Sequence, residues 1–121
     1  MFHIKVENLI EITHFSDVSK SDPLHNLRSL HRHRFKILTT METTSEDVET
    51  ESFELKSIIQ LDLEKFKKEN DNSNFSCKTL AIAVKEGIIK RFGDRIIKIE
   101  VFDGDESLLI LHHLYIRSRY K

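Results

Sequence analysis

The sequence predicts an α+β domain in which two strands, two helices and two further strands follow one another. Three observations carry this prediction. Residues 2–14, and then Leu30 to about Glu42, alternate apolar and polar side chains with the two-residue period of a strand. Between Leu55 and Phe92, apolar residues recur at helical spacing in two runs split by the polar stretch "ENDNSN". "RIIKIEVFD" and "LLILHHLYIR" then return to strand composition on either side of the turn "GDES". Such an order gives a four-stranded antiparallel sheet with two helices packed on one face. The uncovered face is left to solvent or to another subunit.

In the first strand, Phe2, Ile4, Val6, Ile10, Ile12 and His14 share one parity, with a kink expected near Asn8. Residues 16–29 hold Ser, Asp, Asn and the only proline, Pro23, and read as a loop. In the second strand His31, His33, Phe35 and Ile37 fall on one face, and Arg32, Arg34 and Lys36 on the other. "TTSEDVETES" is an acidic loop leading into a first helix, with Leu55, Ile58, Ile59, Leu63 and Phe66 as its apolar stripe. Lys65, Lys67 and Lys68 suit the negative end of that helix. Ser76 caps a second helix striped by Leu80, Ala81, Val84, Ile88 and Phe92, and Gly93 stops it.

Composition narrows the class. At 121 residues the chain is one domain, 1–121, long enough to bury a core without disulfides. Nineteen basic and 20 acidic residues leave a net charge of -1, so no strong field draws in nucleic acid or an anionic membrane. Cys77 is the only cysteine, which excludes an intrachain disulfide and gives secretion no support. "MFHIKVENLI" has no basic segment ahead of an apolar one, and nowhere do about 18 apolar residues run together. A cytoplasmic location is expected.

Chemistry concentrates in the histidines. His14, His25, His31 and His33 fall within twenty positions. On a strand, an H-x-H pair projects two imidazoles in one direction, about 6.6–7 Å apart along the backbone. A third imidazole from the adjacent strand would complete a three-histidine zinc site with one open position. His14 ends the preceding strand on its apolar parity and is the candidate third ligand. The competing reading is two polar residues on a strand facing water, and spacing alone leaves both open. His25 lies in the loop. His112 and His113, being adjacent, point to opposite faces and do not form a joint site.

Five stretches together resemble the 6-pyruvoyltetrahydropterin synthase / 6-carboxytetrahydropterin synthase family of the tunnelling fold. "EITHFS" is similar to that family's first strand, which ends in a zinc-binding histidine. "LHRHRFKI" resembles its "LHGHxYxV" strand. "ESFELK" is similar to the segment opening its first helix, "FSCKTLAIAV" to the one opening its second, and "IKIEV" to the third-strand "VxVxE". The likeness spans residues 2–104 in the same order of elements. It implies a tunnelling fold, zinc held by His14, His31 and His33, and a pterin ring anchored by Glu100 through its amino and ring N–H groups. It also implies elimination or rearrangement of the side chain of dihydroneopterin triphosphate or a relative. Assembly into homo-oligomers, trimers or hexamers, with sites between subunits, is implied as well.

The sequence departs from the family where protons move. The family's acid–base cysteine falls near Leu27, its "LDH" is replaced by "KFKKEND", its helix-opening glutamate by Lys78, and the glycine between the histidines by Arg32. Cys77, at the start of the second helix, reads as a small buried or half-buried residue. His25, His112 and His113 are substitute bases on titration range, with Glu51 and Asp103 behind them. The alternative to a lyase is a degenerate relative that binds a pterin or purine, or serves as an assembly partner, without turnover. A further alternative is an unrelated α+β binding module. Without the family frame, Glu100 reads as a strand-edge carboxylate paired with a lysine.

Overall fold

The computed structural model describes residues 2–14, 31–71, 73 and 75–114, with the backbone alone at positions 14, 31 and 32. Its elements are β1 (Phe2–His14), β2 (His31–Thr43), α1 (Val48–Asn70), α2 (Cys77–Phe92), β3 (Ile97–Asp103) and β4 (Glu106–His113). The strands form one antiparallel sheet in the order β1-β2-β3-β4. Both helices cover the same face, so the α+β architecture read from periodicity is the one observed.

Alternation explains the layering. Opposed residues of an antiparallel pair share a face, and the register sets Ile4 against Met41, Ile10 against Phe35, and Ile37 against Val101. These side chains are all buried, beneath Leu55, Ile59 and Leu63 of α1 and Leu80, Val84 and Ile88 of α2. Asn8 has the same parity and no kink follows from it, for pairing runs unbroken from Phe2 to His14. It is 2% exposed, and its Nδ2 donates to the Lys56 carbonyl at 3.1 Å and to Gln60 Oε1 at 3.0 Å. A polar residue on the core face thus serves to dock α1.

Helix α1 begins inside the stretch that reads as loop. The Asp47 side chain accepts from the Thr50 backbone N–H at 3.1 Å and from Thr50 Oγ1 at 2.8 Å, so it is the N-cap. Those bonds hold its carboxyl below the usual carboxylate range. Helix α2 starts and ends where expected. Ser76 Oγ accepts from the Thr79 N–H at 3.1 Å, and Gly93, at φ 78°, returns its N–H to the Ile89 carbonyl. No helix among the described residues is long and apolar enough to cross a membrane.

Away from the histidines, a polar network ties α1 to the sheet. Glu51 Oε1 accepts from Thr43 Oγ1 at 2.5 Å and from Arg95 Nη1 at 2.9 Å. Arg95 also donates to the Glu42 carbonyl, and the Glu42 carboxylate takes the Ile96 N–H at 2.9 Å. The network closes the end of the sheet where β2 finishes and β3 begins.

Between the helices, a Cβ added to Gly87 would lie 1.6 Å from Asp62 Oδ2, so the carboxylate of α1 occupies the notch that this glycine leaves in α2. Asp62 Oδ2 is buried and meets no hydrogen-bond donor among the described residues. Burial pushes the Asp62 carboxyl above its ordinary value, against the opposing pull of Lys65 and Lys90. A carboxyl whose pKa is raised on folding favours the native state when protonated. That contribution is lost as pH climbs through the native pKa. Asp62→Asn is therefore expected to stabilise the chain at neutral pH, with the gain vanishing near about pH 3, below the carboxylate range. Urea midpoints of both proteins at the two pH values check this.

Candidate functional site

The register of β1 against β2 places His14 directly opposite His31 and Ile12 opposite His33. By strand alternation, positions 14, 31 and 33 share the face that carries Ile12 and Phe35, at one end of the sheet. The pairing of the two strands that spacing requires is thus present in the backbone. Only at His33 is the side chain described.

His33 is half-buried. Its ring lies parallel to that of Phe35, with centroids 5.7 Å apart and 17° between the planes. Phe35 in turn meets Phe75, which packs edge-on to Phe66 at 5.1 Å, so an aromatic row backs the histidine. The Nδ1 atom of His33 stands 2.7 Å from Asp103 Oδ2. Strand pairing explains the approach, because Asp103 is opposite Phe35 and therefore diagonal to His33 on the same face. Directly after Asp103 the chain turns at Gly104, whose φ of 63° favours glycine and whose N–H donates to the Arg34 carbonyl at 3.2 Å.

Cys77 is half-buried against the core at the first turn of α2. Burial pushes its thiol up, and the negative charge of Asp103 pushes it further the same way. A thiol so placed is less nucleophilic and a poorer metal ligand than a free one. Proximity to Asp103 was not legible from Cys77's place in the sequence. At the end of "KFKKEND", Asp71 Oδ1 accepts the Thr13 N–H at 2.9 Å and ties the end of α1 to β1 one residue before His14.

The other candidates are dispersed. His113 pairs with Ile97, six positions of β3 from Asp103, or roughly 20 Å at the rise of a strand. Its Nε2 is 3.8 Å from Asp94 Oδ1, and it shares no site with His33. His112 lies on the opposite face, exposed. Glu51 is engaged in the Thr43–Arg95 network at the far end. His25 and Leu27 lie outside the described residues. Glu100 is opposite Leu38 and Ile110 on the face turned away from α1 and α2, where its Oε2 accepts from Ser107 Oγ at 3.0 Å. Its hydrogen-bond partner is thus a serine across the hairpin. His33 and Glu100 occupy opposite faces of the sheet.

Among the described residues, no three His, Cys, Asp or Glu side chains form a group able to hold a metal ion. One end of the ladder carries donor types that zinc accepts: an opposed pair of histidine positions, and a third histidine next along whose imidazole is hydrogen-bonded to a carboxylate. The chain matches no protein-family model and no curated protein sequence.

Proposed function

We propose that the chain is a zinc-dependent protein resembling the 6-pyruvoyltetrahydropterin synthases, acting on a reduced pterin such as dihydroneopterin triphosphate. His14, His31 and His33 are the proposed ligands. The observation that carries the reading is the β1–β2 register, which sets His14 opposite His31 with His33 next on the same face. Bound zinc supplies Lewis acidity toward the side-chain oxygens of such a substrate, favouring loss of the neighbouring proton and carbon–oxygen cleavage. Glu100 is the proposed ring anchor, its carboxylate suited to two N–H donors. Because Glu100 and His33 lie on opposite faces, a pterin held by both is held between two copies of the chain. This supports a homo-oligomer, and a cytoplasmic small-molecule enzyme remains the proposed setting.

A second reading, binding without turnover, is favoured by the state of Cys77. Its thiol is pushed away from the thiolate by burial and by Asp103, and position 27 is leucine. Metal analysis of protein purified without a histidine tag tests both readings. About one zinc per chain is expected, lost in the His31→Ala/His33→Ala variant; absence of zinc overturns both. Turnover of dihydroneopterin triphosphate, followed by pterin fluorescence, then separates lyase from binding protein. Unchanged pterin affinity in Glu100→Ala would remove the anchor assignment.

A further inference from the structure

We propose that Asp103 is a positioning residue for the histidine row: it holds the proton of His33 on Nδ1 and thereby assigns Nε2 as the nitrogen that donates to a metal. The metal's identity rests on the zinc reading above. The positioning itself is a property of the metal-free chain.

The chemistry of the contact carries the inference. A carboxylate only accepts hydrogen bonds, whereas a neutral imidazole has one N–H and one lone pair. At 2.7 Å from Asp103 Oδ2, Nδ1 of His33 must be the protonated nitrogen. That distance lies in the range of charge-assisted bonds. In the neutral ring the lone pair then belongs to Nε2, the nitrogen left to face a metal.

Three features make the contact a fixed one. The Phe35 ring sets the plane of the imidazole from one side. Asp103 approaches from a different strand, at a position set by its pairing with Phe35. The Gly104 N–H bond to the Arg34 carbonyl pins the turn that follows. The His33 and Asp103 side chains keep 18% and 33% of their surface, so the pair is partly withdrawn from solvent. A pair between mobile surface side chains would have no defined tautomer to impose.

The test uses the full, metal-free chain labelled with nitrogen-15. Ring-nitrogen spectra report the tautomer of His33, assigned by loss of its signals in His33→Gln. The wild-type protein is expected to show the Nδ1–H form. Asp103→Ala is expected to release His33 toward the Nε2–H form and to weaken zinc binding by roughly 10–100-fold. Asp103→Asn, whose carbonyl still accepts from Nδ1, should keep the tautomer and weaken zinc less; it also carries the test if the alanine variant does not fold. An Nε2–H wild-type ring, or a tautomer indifferent to both substitutions, overturns the proposal. If wild-type protein takes no zinc, the proposed function fails, and the tautomer alone decides the role of Asp103.

Discussion

Phe35→Ala is expected to remove about 3–5 kcal/mol of folding stability, the largest loss from any of the substitutions considered. Phe35 is 1% exposed, on one of the two central strands, between Ile10 of β1 and Asp103 of β3. Truncation removes its transfer free energy and leaves a void that the neighbouring backbones, fixed by two ladders, cannot close. It also removes the surface against which His33 stacks and to which Phe75 is packed. Since a domain of this size is held by about 5–15 kcal/mol in all, the variant should unfold at much lower urea with an unchanged slope. A loss of only about 1 kcal/mol would mean that the site collapses around the missing ring, and that the aromatic row is looser than described.

Glu51→Ala is expected to cost about 2–3 kcal/mol, the range for losing hydrogen bonds to a charged group. Glu51 keeps 14% of its side-chain surface and Arg95 keeps 25%. Removing the carboxylate strands a guanidinium that still faces the Glu42 carbonyl, and it leaves Thr43 Oγ1 without its acceptor. Arg95→Ala should cost a similar amount, and the double variant less than the two together, with about 0.5–3 kcal/mol of coupling. Urea unfolding of the four proteins completes the cycle. Additive losses would show that the two side chains act independently. The network lies at the end of the sheet away from His33, so zinc content of Glu51→Ala should match the wild type.

The order of elements was legible because each strand and helix carries its own period, and a period is local information. Ser76 and Gly93 were legible for the same reason: caps depend on neighbours a few residues away. The start of α1 was not, since an acidic run such as "TTSEDVETES" looks the same as loop or first turn until the Asp47 side chain closes on Thr50. The kink expected at Asn8 assumed that a polar residue interrupts a strand. Its Nδ2 donates instead to a helix 48 residues on, which no local pattern reveals. At the site, the parity of His14, His31 and His33 followed from alternation, and the β1–β2 register agrees with it. The bond from His33 to Asp103 joins residues 70 positions apart and depends on the β2–β3 register. The opposite placement of Glu100 follows from the same register.

Asn8 has a consequence for how the two long strands find their alignment. A slip of one residue would turn the apolar set of β1 toward water and is rejected by hydrophobicity alone. A slip of two is different, because Ile4, Val6, Ile10 and Ile12 are near equivalents and the core would accept the exchange with little penalty. Such a slip would set His14 against Ser29, two positions further from His33, or against His33, with His31 left beyond the end of β1. It would also carry Val6 or Ile10 to the place where the Lys56 carbonyl and Gln60 wait for an amide. Only Asn8 answers both. Helix α1, which contributes none of the proposed ligands, is therefore the gauge against which the histidine strands are indexed.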